Sequence, residues 1–200
     1  MNFLVHMLLS GSDDQLLVGN FMGDFVKGPL LERFEPGIRR GVALHRRIDS
    51  FAEQHPLFRQ SRYRLAEQYG LYRGVMVDLF YDYFLVNSWK YWSEEPFAAY
   101  LRRARQVIEQ HRQALPMAMQ ALVPVIFEEL LPSYGTIEGI GRACSRLSRR
   151  IVRPNPLAGC EVELSRQHAG LQQDFDGFMP EIRRFVAAEL RAVSAEQQMR

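Results

Sequence analysis

The segment Gly74-Val75-Met76-Val77-Asp78-Leu79-Phe80-Tyr81-Asp82-Tyr83-Phe84-Leu85 carries two carboxylates in a run that is otherwise apolar. A helix apolar on every side is a buried helix. Asp78 and Asp82 stand four residues apart, so they share one face, where like charges repel. Keeping both ionised in a core is costly unless a cation or strong hydrogen-bond donors compensate. Two compensators fit the sequence: a divalent metal, or arginines such as Arg46 and Arg47 in a structural ion-pair network. The metal is favoured by Gly41-Val42-Ala43-Leu44-His45-Arg46-Arg47-Ile48-Asp49. There an imidazole and a carboxylate, again four apart, project together as suitable ligands for Mn²⁺, Mg²⁺ or Zn²⁺. A third acid, Asp24, lies in Gly19-Asn20-Phe21-Met22-Gly23-Asp24-Phe25-Val26-Lys27-Gly28, flanked by apolar residues. His6 sits in the apolar first helix as either a hydrogen-bonded core residue or a ligand. His55, ahead of Pro56, reads as a helix cap, and His111 and His168 are assigned no role.

Other chemistries find little support. No Gly-x-Ser-x-Gly elbow, phosphate loop or dinucleotide fingerprint occurs. Cys144 and Cys160 are the only cysteines, without acid-base neighbours in sequence. They read as buried thiols in a reducing compartment. The aromatic run from Tyr69 to Trp92 is read mainly as core, with a tunnel for a long thin substrate as the alternative.

Positioning these residues requires helices. Apolar residues recur at three- and four-residue spacings almost throughout, and strand alternation with hairpin dipeptides is missing. The spacing and the Gly and Pro breaks predict helices over 2–10, 13–27, 37–54, 57–69, 72–92, 96–113, 117–131, 136–151 and 158–196. The last is expected to break near Asp176-Gly177-Phe178-Met179-Pro180, giving a C-terminal helical hairpin from about residue 157, with residues 195–200 fraying. The expectation is an all-α chain forming one compact multi-helix domain over residues 1–200. With 47% hydrophobic residues the chain can bury a core of its own.

The first residues lack a basic leader and fall short of a membrane span, as does every other stretch, so a cytoplasmic protein is expected. Net charge is only +2, yet the basic side is almost all arginine, Lys27 and Lys90 being the sole lysines. Arginine binds phosphate and carboxylate bidentately. Clusters at Arg39-Arg40, Arg46-Arg47, Arg102-Arg103-Arg105 and Arg146-Arg149-Arg150 suit a phosphate ester or an acidic protein partner, or else form a solvated surface. Nucleic acid is not an expected partner.

Asn2-Phe3-Leu4-Val5-His6, Gly19 to Gly28, His45-Arg46-Arg47-Ile48-Asp49 and Asp78 to Leu85 occur in the order and approximate spacing of the acyl carrier protein phosphodiesterases, a family similar in turn to the HD-domain phosphohydrolases. The resemblance covers most of the first ninety residues and, more loosely, Gly141 to Arg150. It implies a variant HD-like helical fold and a divalent-metal enzyme, often supported by manganese with magnesium possible. Such an enzyme hydrolyses holo acyl carrier protein to apo carrier protein and 4'-phosphopantetheine. His6, Asp24, His45, Asp49, Asp78 and Asp82 occupy matching positions. The chain departs from the family at Tyr83, where members commonly carry histidine, and it lacks the adjacent His-Asp pair of the HD proteins.

The mechanism expected from this resemblance places Asp24, His45, Asp49 and one or both of Asp78 and Asp82 around an ion that activates water. Arg46 or Arg47 would offset phosphate charge, and His6 or water on the ion would protonate the leaving serine. Arg39, Arg40, Arg146, Arg149 and Arg150 are the expected docking points for an acidic carrier protein. A nucleotide phosphohydrolase and a non-catalytic carrier-binding protein are the alternatives.

Overall fold

The computed structural model describes residues 3–30 and 34–198, and among these there are helices and turns but no strand. The all-α expectation holds. The first helix, α1 (Phe3–Leu9), is apolar around its circumference and buries Leu4, Val5, His6, Met7 and Leu9. Its leading amides are met by Asp82, whose carboxylate accepts from the backbone N–H groups of Leu4 (3.1 Å) and Val5 (3.0 Å). Helix α2 (Asp14–Met22) starts where Asp13 accepts from the Leu16 N–H. It gives way at Gly23 to a 3₁₀ turn, Gly23–Phe25, which carries Asp24. The helix expected over 13–27 is therefore shorter, ending just before the acid it was expected to carry.

Helix α3 (Pro36–Gln54) begins with proline in its first turn and ends at His55, which the following Pro56 holds extended. His55 then caps α4 (Pro56–Arg64), its ring accepting from the Leu57 N–H at 3.3 Å. It thus closes α3, where its N–H donates to the Ala52 carbonyl (3.1 Å), as expected from the sequence, and caps the start of the next helix as well. After a tight 3₁₀ stretch (Glu67–Tyr72), α5 (Arg73–Asn87) runs through the core with Met76, Val77, Leu79, Phe80, Tyr81, Asp82, Phe84 and Leu85 buried. Helix α6 (Phe97–Gln110) follows. The helix expected over 117–131 is broken into α7 (Met117–Gln120), α8 (Val123–Val125), a π-turn (Ile126–Leu130) and α9 (Leu131–Ser133), because Pro124 and Pro132 each start a new turn. Helix α10 (Ile137–Arg150) is capped by Thr136, which accepts from the Gly139 N–H.

The final helix, α11 (Glu161–Gln198), corrects the expected hairpin: it runs unbroken through Pro180. Proline inside a helix costs about 3 kcal/mol. Against that, Leu164, Leu171, Phe175, Phe178, Met179, Ile182 and Val186 form a fully buried stripe at helical spacing. The stripe packs on α3, α4, α5 and α10, so the segment is not set apart from the rest. Of the tail expected to fray, residues 199 and 200 lie outside the described residues. A buried polar clamp reinforces the packing. Asp174 on α11 accepts from Arg64 (2.7 Å), Ser61 (2.9 Å) and Gln60 (2.9 Å) on α4, and Ser61 shares a hydrogen bond with the Tyr81 hydroxyl on α5.

Two glycines set the closest helix crossing. A side chain on Gly19 would meet the Ile38 carbonyl and the Gly41 Cα, and one on Gly41 would meet the Leu16 carbonyl and the Gly19 Cα, all within 2.8 Å. The α2 and α3 backbones therefore touch, which ordinary side chains prevent. One hydrophobic cluster, drawing on residues from Leu4 to Val186, lies beneath these helices.

Asp174→Ala should lower unfolding stability by about 3 kcal/mol, because it leaves the Arg64, Ser61 and Gln60 groups without their acceptor. Urea denaturation followed by circular dichroism checks this, and an unchanged midpoint would show that the clamp contributes nothing.

Candidate metal centre and the cleft above it

The Gly19–Gly41 crossing brings Asn20, one residue further along α2, against α1 and α3. The Asn20 amide nitrogen donates to the His6 carbonyl (2.7 Å) and to the Ser10 hydroxyl (3.0 Å). That orientation fixes the amide oxygen as an acceptor, and it lies 2.8 Å from Nδ1 of His6. The backbone carbonyl of the same residue lies 2.8 Å from Nδ1 of His45. Both imidazoles thus donate through Nδ1 to Asn20. In its neutral form each turns the Nε2 lone pair the other way.

Those two nitrogens meet one carboxylate. Nε2 of His6 lies 3.1 Å from Asp49 Oδ1, and Nε2 of His45 lies 3.2 Å from Asp49 Oδ2 and 3.5 Å from Asp24 Oδ1. The rings stack with centroids 3.9 Å apart. Gly23 makes room for this arrangement, since a side chain there would strike the His45 ring. His6 and His45 are buried, Asp49 is half-buried, and Asp24 is the most open of the set.

The electrostatics follow. Burial and the His45 charge push His6 down to about 4. Burial opposes protonation of His45 too, but hydrogen bonds to Asp24 and Asp49 outweigh it and lift the ring to about 9. Against its own burial, Asp49 is held far below the ordinary carboxylate range by His45 and His6, and Asp24 is lowered by His45. Without a metal, a proton on His45 offsets part of the charge of Asp24 and Asp49.

Ligand atoms of His6, His45 and Asp49 all lie within 4.8 Å of one another, near enough for small side-chain shifts to bring them onto one ion. Imidazoles oriented through a second hydrogen bond, facing carboxylates, form the outer-shell pattern of a metal centre. These residues therefore fit a divalent metal. The lone histidine of the first helix belongs to the set itself, and Asn20, which the sequence offers only as part of a longer motif, organises it.

Above the centre lies a cleft of about 580 Å³, whose lining includes Asp24, Asp49, Asp78, Phe3, Arg62 and Arg150. Burial, with the charges of Asp49 and Asp24, pushes Asp78 up to about 6. Asp82 is a different case. It is fully buried, its two oxygens are spent on the α1 amides, and burial carries it up to about 7 against those two bonds. The second carboxylate of the α5 pair therefore anchors the helix that bears His6 and is not gathered with the others.

The expected phosphate ligands are also turned away. One and two residues past His45, the helix rotates by roughly 100° per residue. Arg46 accordingly donates to the Val26 and Gly28 carbonyls, and Arg47 pairs with Glu189 on α11. Arg62, which no sequence cluster singled out, and Arg150, which lies over the Phe25 ring, line the cleft instead. Among the expected docking residues, Arg40 faces Asp13 at 4.0 Å and Arg146 pairs with Glu129, while Arg39 and Arg149 lie on α3 and α10 away from the cleft lining. Tyr83, the departure from the family, hydrogen-bonds His168 at the α5–α11 contact (3.2 Å) and is not part of the cleft lining.

Asn20→Ala should weaken divalent-metal affinity about 10- to 100-fold while the helical circular dichroism is kept, as measured by titration calorimetry. Because the ion needs the His45 lone pair, and the metal-free ring holds its proton up to about 9, binding must expel that proton. Affinity should therefore rise with pH by about one log unit per pH unit up to that value, with proton release visible as a buffer-dependent heat. A pH-independent affinity would remove His45 from the ligand set.

Among the described residues, no helix is long and apolar enough to cross a membrane. No solved structure matches the chain. Curated relatives do. The chain is 29% identical over 182 residues to the acyl carrier protein phosphodiesterase of Photorhabdus laumondii, covering 90% of this chain and 92% of that one. It is 27% identical over 186 residues to the enzyme of that name from Serratia proteamaculans, covering 91% and 95%, and 27% identical over 182 residues to that of Escherichia coli O157:H7, covering 90% and 94%. The family model described as acyl carrier protein phosphodiesterase matches residues 1–182, the stretch that carries the two imidazoles, the four carboxylates and the cleft, and the chain belongs to that family.

Proposed function

We propose that this chain hydrolyses the phosphodiester between a serine of holo acyl carrier protein and 4'-phosphopantetheine, releasing apo carrier protein and 4'-phosphopantetheine. The observation that carries this reading is the pair of Nε2 atoms aimed by Asn20 at Asp49 on the floor of a cleft rimmed by arginine. The name shared by the relatives supplies the substrate. His6, His45 and Asp49, with Asp24 beside them, would hold the cation. Manganese suits two imidazoles with carboxylates better than magnesium, which prefers an all-oxygen shell. A divalent cation in this position supplies Lewis acidity that draws charge from the phosphoryl oxygens.

The chain's own residues do the rest. Arg62 and Arg150 face a phosphate from the cleft walls and offset its charge. Asp78, raised to about 6, can carry a proton near neutral pH and deliver it to the departing serine oxygen. Water attacks phosphorus and gives up a proton to solvent, the bond from phosphorus to the serine oxygen breaks as Asp78 protonates that oxygen, the phosphate leaves with pantetheine, and Asp78 regains a proton from solvent. This assignment moves the acid from His6, whose Nε2 is turned to Asp49, to Asp78. Asp82 acts as a positioning residue. We read the whole chain as one hydrolase domain, with kinship to the HD-domain phosphohydrolases supported by its all-helical fold and its His/Asp ligand set. A cytoplasmic location is in keeping with a sequence that has only two cysteines, Cys144 and Cys160, too few for a disulfide framework.

Mass spectrometry of holo carrier protein incubated with the chain tests the reading. Loss of the phosphopantetheine mass is expected with Mn²⁺ and not with chelator. Asp49→Ala should abolish turnover with the fold retained. Intact holo carrier protein after incubation with the wild-type chain and Mn²⁺ would overturn it.

A further inference from the structure

Beside the cleft lies a second recess of about 270 Å³, lined by Arg59, Arg62, Tyr63 and Arg73. Arg62 belongs to both, so the recess opens at the mouth of the acid-floored cleft. Arg59 and Arg62 stand three apart on α4 and share a face, and Arg73 begins α5. Arg59 donates through Nε to the Glu53 carbonyl (2.9 Å), and Arg73 through Nε to the Gly70 carbonyl (3.2 Å). Each head group is thereby steadied with its outer amino groups left over.

Neutralisation sets these arginines apart from many others in the chain. Arg47, Arg64, Arg103, Arg105, Arg112 and Arg146 each pair with a carboxylate. Arg59, Arg62 and Arg73 have no carboxylate partner among the described residues. Two exposed apolar side chains flank them. Tyr63 is 78% exposed, and Leu71, at the tight turn after Gly70, is 90% exposed and lines the cleft. Three uncompensated arginines beside an exposed tyrosine and leucine have the composition of a protein-binding surface, where arginine and aromatic residues carry the energy.

We infer that the rim formed by Arg59, Arg62, Tyr63, Leu71 and Arg73 is the docking surface for the acidic face of the protein substrate. The inference rests on the diesterase reading for the identity of that protein. A phosphodiester at the cleft floor, still attached to a folded carrier, obliges the carrier body to rest at the mouth. The rim's uncompensated positive charge selects an acidic surface there. It also moves docking from the α3 start, where Arg40 faces Asp13, and from Arg146, already paired with Glu129, to the α4–α5 edge.

The test measures fluorescence anisotropy of labelled holo acyl carrier protein with the Mn²⁺-loaded chain and with its R59E/R73E variant. R59Q/R73Q is the milder form, R39E/R102E the charge-matched control, and hydrolysis of bis(p-nitrophenyl) phosphate reports an intact catalytic floor. Arg62 is left unchanged because it lines the cleft. The dissociation constant should rise about tenfold or more in R59E/R73E, with a smaller rise in R59Q/R73Q, while small-diester hydrolysis stays within about twofold. A wild-type constant in R59E/R73E, or an equal loss in R39E/R102E, would overturn the rim. A wild-type chain that binds the carrier here without removing phosphopantetheine overturns the diesterase reading and leaves the rim standing. Cleavage with an unchanged Michaelis constant in R59E/R73E does the reverse.

Discussion

Asn20 holds two imidazoles at once, through its side-chain oxygen and its backbone carbonyl, and much of the site depends on that double bond. An imidazole has two nitrogens, and the partner of one decides what the other can do. Because both Nδ1 atoms donate to the same buried residue, both Nε2 atoms are committed to Asp49. The result is a concentration of lone pairs and negative charge that is stable only with a positive centre among them. In the metal-free protein that centre is a proton on His45, and the stacked ring of His6 is driven the opposite way. His6, His45 and Asp49 are also the groups that could serve as donors to a divalent ion.

That arrangement needs three backbones in close register. Gly19 and Gly41 let α2 and α3 touch, which brings the Asn20 carbonyl to His45. Asp82 fixes the start of α1, two residues from His6, from the fully buried helix α5. A carboxylate accepting two amides at a helix start is a strong anchor, since the orphan N–H groups there carry the positive end of the helix dipole. The C-terminal helix braces the other side through Asp174. Its buried stripe keeps α11 helical past a proline that would otherwise end it.

Charge is layered along the axis of the cleft. Asp24 and Asp49 form the floor, with the imidazoles behind them, Asp78 stands on the wall with its affinity for a proton raised by burial and by those two charges, and Arg62 and Arg150 line the walls. Arginine continues outward at Arg59 and Arg73. An anionic ester that descends past positive side chains toward a cation-holding floor meets attraction along its path, whereas much of the remaining arginine is cancelled by ion pairs.

The all-helical class was legible in sequence because apolar spacing is a local property. So was the pairing of His45 with Asp49, since four residues of helix put both on one face. The nearness of Asp24 to that pair came with the motif that carries it. The fate of Asp82 was not legible. Asp78 and Asp82 share a helix face and a similar environment, and only the arrival of α1 against one of them separates an anchor from a cleft acid. Arg46 and Arg47 looked like phosphate ligands by adjacency to His45, yet adjacency on a helix means rotation away. Arg62, flanked by Arg59 and Arg64 on α4 and not marked out from them by sequence, is the one of the three that lines the cleft. Asn20 carries no signal by residue type, because its role depends on contacts 14 and 25 residues distant. Local spacing thus determined which groups travel together on one helix; which groups meet was decided by the crossing of helices, a matter of packing between segments far apart in the chain.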